Sequence, residues 1–286
     1  MRKIKMIPYN FIPVFLTILF LNLTSCNLKK QSEIVEEEAK TVTTVYLIGD
    51  STMADYTGDY DIGKNYMKTR YPVTGWGQVF QSFLVSDSLE QIKNLVKTDS
   101  ALVNDRARGG RSTRTFFQEG RWRSVFVNLK KDDIVIMQFG HNDAAENKPE
   151  RYVNIEGYKE FLRLYVSQTR QKGAIPIILT PVARNYPWND DKLEDVHGEY
   201  DIAPKDVATE MNVYLIDLNL KSREFFTRKG KDFVSQNYFM NLPPNTYEAY
   251  PDGQSDNTHF QPKGATVVAG LVFDGLKEIN SGLNNK

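Results

Sequence analysis

The stretch Thr43-Thr44-Val45-Tyr46-Leu47-Ile48-Gly49-Asp50-Ser51-Thr52 joins a short β-rich run to a glycine and a polar turn. A continuous apolar run of this length is typical of a strand that is buried on both faces, as in a parallel sheet. A serine at a tight strand-to-helix turn can be exposed, with its backbone N–H pointing the same way as its hydroxyl. Gly-Asp-Ser is also a common turn sequence, so the stretch by itself predicts a strand and a turn.

Further short apolar runs follow along the chain and are predicted to be strands: 101–104, 134–139, 175–179 and 213–216. Helical patterns lie between or after them, at 158–170, 205–211 and 264–279. Strands that alternate with helices imply right-handed crossovers. The predicted fold class is therefore α/β, a three-layer α/β/α sandwich around a central, mainly parallel five-stranded sheet. In such folds the active site lies beyond the carboxyl ends of the strands.

Polar motifs follow those strands. Gly109-Gly110-Arg111-Ser112 comes after the run at 101–104, and Gly140-His141-Asn142-Asp143 comes after the run at 134–139. Near the C-terminus stands Asp256-Asn257-Thr258-His259-Phe260. An Asp and a His three residues apart on a loop can act on one serine, because the Asp fixes the imidazole tautomer and the His takes the hydroxyl proton.

Together these blocks resemble the SGNH (GDSL-type) hydrolase superfamily, in the same order along the chain. Its invariant Ser, Gly, Asn and His fall on Ser51, Gly110, Asn142 and His259, and its triad Asp falls on Asp256. The chain also resembles the rhamnogalacturonan acetylesterase branch over roughly residues 43–280. The motifs that carry this second resemblance are 49–54, 75–77, 110–112, 139–143, 180–184, 197–198, 216–218 and 256–260. The resemblance implies the flavodoxin-like SGNH hydrolase fold.

The resemblance also implies a mechanism. Ser51 would attack an ester carbonyl, with His259 as general base and then general acid, and Asp256 would orient His259. The oxyanion would be held by the N–H groups of Ser51 and Gly110 and by the side-chain amide of Asn142, each donor being worth ~3–4 kcal/mol. Water would then hydrolyse the acyl-enzyme, without a metal or a cofactor.

The implied function is that of a serine carbohydrate esterase that removes acetyl groups from a plant cell-wall polysaccharide, with rhamnogalacturonan (pectin) as the expected substrate. Other substrates stay open: acetylated xylan, another glycan, or the acyl group of a lipid or thioester. A lipid-acting enzyme should carry an apolar groove beside the serine, whereas the loops here are polar, Arg-rich and aromatic. A non-catalytic glycan-binding lipoprotein on this fold is a further alternative. The presence of Ser51, His259 and Asp256 together argues against it, because a protein that only binds glycans does not need a complete catalytic triad.

Candidate substrate contacts are His141, Arg111, Tyr186 and Trp188. Arg111 belongs to a cluster of six Arg between residues 106 and 123, whose guanidinium forks suit the planar carboxylates of galacturonate. A solvated or salt-bridged face is the alternative for that cluster. Aromatic faces can stack on sugar rings, but Tyr186 and Trp188 can equally pack their own loop. His141 either contacts substrate or braces its loop.

Three further features receive a structural interpretation. Asp50 is expected to tie its own turn, and His197 lies in a polar stretch where an exposed or structural role is favoured over a catalytic one. The segment 237–256 matches no family motif and is interpreted as an ordered insertion or long loop that could shape the substrate groove.

The composition excludes several classes of protein. The 286 residues are 41% hydrophobic and 25% charged, which argues against long disorder and a multispan membrane protein. Because 36 Lys+Arg balance 36 Asp+Glu, nothing in the net charge indicates a nucleic-acid partner. A single Cys excludes an intramolecular disulfide framework, a Cys-based zinc ribbon and an iron–sulfur cluster, and three His leave little for a His-rich metal site.

Residues 1–25 are predicted to be a lipoprotein signal peptide. A basic start at residues 2–5 precedes an apolar stretch at 11–23, which is too short for a spanning helix. The stretch ends in Leu23-Thr24-Ser25-Cys26, which resembles the bacterial lipoprotein cleavage box, where the Cys becomes the lipidated first residue. A plain secretory signal with an incidental Cys is the alternative, and it would make the protein secreted.

The rest of the predicted organisation follows from this leader. Residues 26–42 are polar and charged and are interpreted as a flexible tether, and 43–286 as the hydrolase domain. The expected location is the bacterial cell envelope, periplasmic or surface-exposed, with the membrane reached only through the lipid on Cys26. The expected partner is an acetylated polysaccharide or oligosaccharide, and the sequence gives no oligomeric state.

Overall fold

A parallel sheet forms the centre of the fold. The computed structural model describes residues 42–58 and 60–283. In this part of the chain one sheet consists of β1 (Val42–Gly49), β2 (Ser100–Asp105), β3 (Ile134–Gln138), β4 (Ile175–Leu179) and β7 (Tyr214–Ile216). These five strands lie in the order β2-β1-β3-β4-β7, and every neighbouring pair is parallel. A separate antiparallel pair consists of β5 (Trp188–Asn189) and β6 (Lys192–Leu193). The predicted α/β class and five-stranded parallel sheet are confirmed.

Helices connect the strands and cover both faces of the sheet. They are α1 (Tyr66–Thr69), α2 (Trp76–Phe80), α3 (Ser86–Leu89), α4 (Thr113–Gln118), α5 (Arg121–Phe126), α6 (Ile155–Gln171), α7 (Glu199–Glu210), α8 (Leu218–Lys229), α9 (Lys231–Asn237) and α10 (Pro262–Leu283). Short 3₁₀ turns lie at Gln81–Phe83 and Glu90–Ile92. No helix in the described part of the chain is both long enough and apolar enough to cross a membrane.

The side chains of β1 show how the three layers arise. Successive side chains in a strand point to opposite faces, so Val45 and Leu47 enter one apolar core while Tyr46 and Ile48 enter the other. The first core is closed by α2, α8, α9 and α10, and the second by α4, α5, α6 and α7. A sheet with both faces buried explains why its strands read as continuous apolar runs.

The helix bounds differ most from the prediction at α7, which begins at Glu199 instead of 205. Pro204 lies inside this helix; a proline lacks the N–H of a helical hydrogen bond, so the sequence favoured a helix only beyond it. At the other end of the domain, Val42 belongs to β1 although it was assigned to the tether. The remaining tether and the predicted signal peptide lie outside the described residues.

Strand register brings the polar motifs to one edge. Gly49 of β1 pairs with Gln138 of β3, which in turn pairs with Leu179 of β4. The three strands therefore end side by side, and the turns that follow them meet. This edge carries Ser51 and Asn142, as expected for the carboxyl end of a parallel sheet.

Candidate active site

A buried chain of hydrogen bonds holds the turn that carries Ser51. The indole N–H of Trp76 donates to Gln138 Oε1 (2.8 Å), and Gln138 Nε2 donates to Thr52 Oγ1 (2.7 Å). The Thr52 hydroxyl and backbone N–H both donate to Asp50 Oδ1, at 2.8 and 2.9 Å. These side chains are buried, and Asp50 ties its own turn in the structure, where burial raises the pKa of its carboxyl. The chain fixes the backbone on both sides of Ser51.

Ser51, His259 and Asp256 form a continuous line of hydrogen bonds. Ser51 Oγ lies 2.8 Å from His259 Nε2, and His259 Nδ1 lies 2.7 Å from Asp256 Oδ2. The other carboxyl oxygen of Asp256 accepts the backbone N–H groups of Thr258 (2.8 Å) and His259 (3.0 Å). Both oxygens of Asp256 are thus engaged, and the imidazole has one orientation in which it reaches the serine.

The charge of Asp256 is maintained by these contacts. Burial would raise the pKa of this carboxyl, but the hydrogen bonds that it accepts from the His259 ring and from the backbone N–H groups of His259 and Thr258 outweigh burial and hold the pKa below its usual range. A carboxylate in this position keeps a proton on His259 Nδ1 and leaves Nε2 free to accept the serine proton. The arrangement can activate a serine for attack on an ester carbonyl.

The segment 237–256 supports this carboxylate. It folds against itself at the bridge between Leu242 and Gln254, and Asn241 Oδ1 accepts the backbone N–H of Asp256 (3.1 Å). The predicted ordered loop is therefore attached to the back of Asp256. None of the residues 237–256 lines the pocket at Ser51.

Three groups at Ser51 are available to hold an anionic oxygen. The backbone N–H groups of Ser51 and Gly110 donate to no other described residue, and Gly110 adopts a left-handed φ of 78°, which favours glycine. The amide nitrogen of Asn142 donates one hydrogen to the carbonyl of Arg111 (3.0 Å), which leaves its second hydrogen. Arg151 Nη1 donates to the amide oxygen of Asn142 (3.0 Å). All three candidate oxyanion donors line the same pocket.

The pocket in front of Ser51 has a volume of about 830 Å³. No Asp or Glu side chain in the described part of the chain lines it, whereas its wall carries several cationic side chains. These cations are Arg70, Arg108, Arg111, Lys148, Arg151 and Arg184. Such a wall attracts anions, since unbalanced charge in a cleft raises the local concentration of the opposite charge.

The predicted Arg cluster at 106–123 divides between two roles. Arg108 and Arg111 line the pocket, although Arg111 is also paired with Glu119 at 3.0 Å. Arg114 instead donates to backbone carbonyls, including that of Tyr152 at 3.1 Å. The salt-bridged face and the cationic groove are thus both present within the cluster.

His141 and His197 form a buried pair at the pocket wall. Arg184 Nε donates to His141 Nδ1 (3.2 Å), and His197 Nε2 lies 3.1 Å from the same nitrogen. Because Arg184 can only donate, His141 Nδ1 must be an acceptor, and the ring proton is on Nε2. Burial first, and then the electrostatic interactions with His197 and with the Arg184 guanidinium, lower the pKa of His141 far below its usual range. His141 is therefore a neutral N–H donor.

The two aromatic candidates, Tyr186 and Trp188, are not part of the pocket lining. The hydroxyl of Tyr186 accepts a hydrogen bond from Arg184 Nη1 (2.6 Å). Trp188 packs against the core, and its indole N–H donates to Asn185 Oδ1 (3.0 Å). Neither of them lines the pocket, whereas Tyr60 does, with the guanidinium carbon of Arg108 3.7 Å from the centre of its ring. No local sequence motif identifies Tyr60 as a residue of the pocket.

No metal site accompanies these residues in the described ranges, 42–58 and 60–283: no group of three or more His, Cys, Asp or Glu there could hold a metal ion. The polar groups at the pocket are those of acid–base and hydrogen-bonding chemistry.

Comparison with known proteins identifies the family of this chain. Residues 47–267 match the model of the GDSL-like Lipase/Acylhydrolase family. The Bacillus subtilis protein named "Probable rhamnogalacturonan acetylesterase YesY" is 41% identical over 236 residues, which are 82% of this chain and 93% of that protein. "Rhamnogalacturonan acetylesterase RhgT" of the same organism is 34% identical over 235 residues, 82% of this chain and 90% of that protein.

Solved structures share the fold. Protein YxiM of Bacillus subtilis superposes with a TM-score of 0.65 at 26% identity, covering 84% of this chain and 57% of that chain. A catalytic mutant of Axe2, an acetylxylan esterase from Geobacillus stearothermophilus, superposes with a TM-score of 0.52 at 18% identity, covering 82% of this chain and 94% of that chain. The protein belongs to the GDSL-like lipase/acylhydrolase family and is a carboxylic ester hydrolase.

Proposed function

We propose that the protein is a serine acetylesterase that deacetylates an acidic plant cell-wall polysaccharide, rhamnogalacturonan. The observation that carries this proposal is the hydrogen-bonded line of Ser51, His259 and Asp256, of which Ser51 and His259 line a cationic pocket. The names of two Bacillus subtilis relatives, YesY and RhgT, support the acetylated pectin substrate.

The proposed reaction proceeds by way of an acetyl-enzyme. Ser51 Oγ attacks the acetyl carbonyl carbon while His259 Nε2 takes the hydroxyl proton. The carbonyl oxygen becomes an oxyanion that the Ser51 and Gly110 N–H groups and the Asn142 amide hold. The bond between the acetyl carbonyl carbon and the sugar oxygen then breaks, and His259 returns the proton to the sugar oxygen. Water, deprotonated by His259, attacks the acetyl-serine and releases acetate and free Ser51.

The charge of the pocket supports an acidic polymer over a neutral one. Galacturonate repeats carry carboxylates, and guanidinium groups such as Arg184 bind planar anions through two parallel hydrogen bonds. Arg184 has no carboxylate partner among the described residues, and neither does Lys148. These two cations are therefore the ones that we propose to meet substrate carboxylates.

Acetate release from native polysaccharides tests the proposal. We expect rapid release from acetylated rhamnogalacturonan, slower release from acetylated xylan and mannan, and none from any of them with Ser51→Ala. Lys148→Gln should raise KM for rhamnogalacturonan several-fold and leave KM for xylan unchanged. High salt should reduce the difference in acetate release between the polymers. The reason is that salt screens the attraction between exposed charges over distances of ~8 Å, and over shorter distances as its concentration rises. Equal release from neutral and acidic polymers would contradict the proposed substrate.

We also propose that the mature protein is a lipoprotein of the bacterial cell envelope, anchored at Cys26. The basic and apolar leader and the position of the only Cys in the sequence support this assignment. These residues lie outside those the structure describes. A lipid anchor would hold the hydrolase domain at a membrane.

A further inference from the structure

The amide of Asn142 is held from two sides. Arg151 Nη1 lies 3.0 Å from the amide oxygen, and the amide nitrogen lies 3.0 Å from the backbone carbonyl of Arg111. A guanidinium has no acceptor and a carbonyl has no hydrogen to donate. Both partners therefore demand the same orientation, with the oxygen of Asn142 toward Arg151 and the NH₂ group away from it.

This orientation decides whether Asn142 can stabilise an oxyanion. An amide rotated by half a turn would present its oxygen to the pocket and repel a developing negative charge. In the observed orientation one amide hydrogen is used by Arg111, and the second remains for a ligand. The guanidinium at the oxygen end also polarises the amide toward a stronger N–H donor.

Arg151 also lies next to the second candidate donor. A side-chain carbon on Gly110 would be 3.3 Å from Arg151 Nη1, so the guanidinium lies close to both Gly110 and Asn142. The nearest carboxylate is that of Glu150, 3.7 Å from Arg151 Nε, and it is mostly exposed. An exposed ion pair of this kind contributes little, so the positive charge beside the two donors is not neutralised locally.

We propose that Arg151 is a positioning residue that fixes the Asn142 amide with its N–H toward the oxyanion and strengthens that donor by its charge. The inference rests on the proposed reaction at Ser51. The ester carbonyl is neutral in the ground state and the oxyanion forms in the transition state, so the contribution of Arg151 belongs to kcat. This contribution of Arg151 to kcat applies to every ester substrate, including one that carries no carboxylate.

The first test uses the neutral ester 4-nitrophenyl acetate. Arg151→Met removes the charge and the donor at similar side-chain length, and we expect kcat to fall by about 10-fold or more with little change in KM. The fall should not exceed the roughly 100- to 1,000-fold that loss of one oxyanion donor causes. Arg151→Lys, which keeps a charge and a donor, should recover part of kcat. Arg123→Met, the same change at an exposed arginine outside the pocket, should match the wild type.

A double-mutant cycle with Asn142→Ala separates positioning from direct substrate contact. If Arg151 acts through Asn142, Arg151→Met should cost less than about twofold in the Asn142→Ala background, since coupled residues are not additive. Multiplicative losses would overturn the proposal. So would an Arg151→Met variant with normal kcat on 4-nitrophenyl acetate and raised KM on rhamnogalacturonan, which would make Arg151 a carboxylate contact.

Folding and the underlying reaction are controlled separately. Circular dichroism and thermal melting establish that each variant is folded; if Arg151→Met is not, Arg151→Gln enters the same cycle, because it lacks the charge. Ser51→Ala distinguishes the two levels of inference. Activity that survives Ser51→Ala refutes the proposed reaction, whereas an inactive Ser51→Ala beside a fully active Arg151→Met refutes only the role of Arg151.

Discussion

Ser51 and His259 are 208 positions apart in the chain, yet Oγ of the serine lies 2.8 Å from Nε2 of the histidine. Ser51 follows the first strand of the sheet, and His259 lies just before the last helix, α10. The backbone carbonyl of His259 accepts the N–H of Met240 (2.9 Å), so the loop is attached on the side away from the serine. The distance is that of a hydrogen bond already formed before any substrate arrives.

This relationship predicts the behaviour of the three side chains as one unit. Ser51→Ala should abolish acetyl-ester hydrolysis, and His259→Ala should be about as severe, because an unassisted hydroxyl is a poor nucleophile at neutral pH. Asp256→Asn should lose about 10⁴-fold through the wrong tautomer. Steady-state kinetics on 4-nitrophenyl acetate should show that double variants lose no more than single ones. An organophosphorus probe that labels a serine other than Ser51 would refute the assignment.

The tautomer of His141 is a second prediction. Because Arg184 donates to Nδ1, ¹⁵N spectra should show a neutral ring with its proton on Nε2. The ring should stay neutral to a lower pH than an ordinary imidazole does, because burial and the neighbouring His197 and Arg184 lower the pKa of His141. In Arg184→Met the pKa of His141 should rise, since the guanidinium charge beside the ring is gone.

The histidine region of the ¹⁵N spectrum should contain few signals, since the chain has three His. His141→Phe and His197→Phe assign the spectra by elimination. A proton on Nδ1 of His141 in the wild type would show that the contact with Arg184 is absent in solution.

The buried carboxyl of Asp143 predicts a dependence of stability on pH. Burial raises its pKa to about 7, despite hydrogen bonds from Thr113 and Gly140. A folded-state pKa above the unfolded value means that the native state binds the proton more tightly, so this contribution to stability is lost as pH rises from about 4 to about 7. One pKa unit corresponds to about 1.4 kcal/mol. Between pH 4 and pH 8 the free energy of unfolding of the wild type should therefore fall by ~2 kcal/mol or more relative to that of Asp143→Asn.

Urea unfolding at pH 4, 5, 6, 7 and 8 measures that difference. Asp143→Asn also loses a hydrogen-bond acceptor, so its stability at a single pH is not informative, and only the change of the difference with pH is. A difference that is constant across this range would mean that Asp143 is ionised throughout.

The lipid anchor predicts a change in cell fractionation. Cys26→Ser should leave the precursor uncleaved or release the protein from the membrane fraction, and it should stop incorporation of labelled palmitate. Ser51→Ala serves as the control, because it should fractionate and label as the wild type does. Palmitate labelling that persists in Cys26→Ser would exclude Cys26 as the attachment site.

The sequence alone determined the sheet and the residues that meet at its edge. Strands buried on both faces tend to be continuous apolar runs, so the strand ranges could be predicted, and the motifs of Ser51 and Asn142 follow directly after two of these strands. Helices were harder to predict from the sequence. Pro204 argued against a helix in the first half of α7, and short helices such as α4 and α5 contain too few turns to establish a helical period in their apolar residues.

Only the tertiary structure decided what surrounds that edge. Arg70, Lys148, Arg151 and Arg184 lie far from Arg108 along the chain, and nothing in their local sequence indicates that they share a pocket wall with it. Sequence patterns record which side chains share a strand or a helix, because these have fixed periods. Side chains from distant loops converge according to strand order and register, and these are set by the packing of the whole sheet against its two layers of helices.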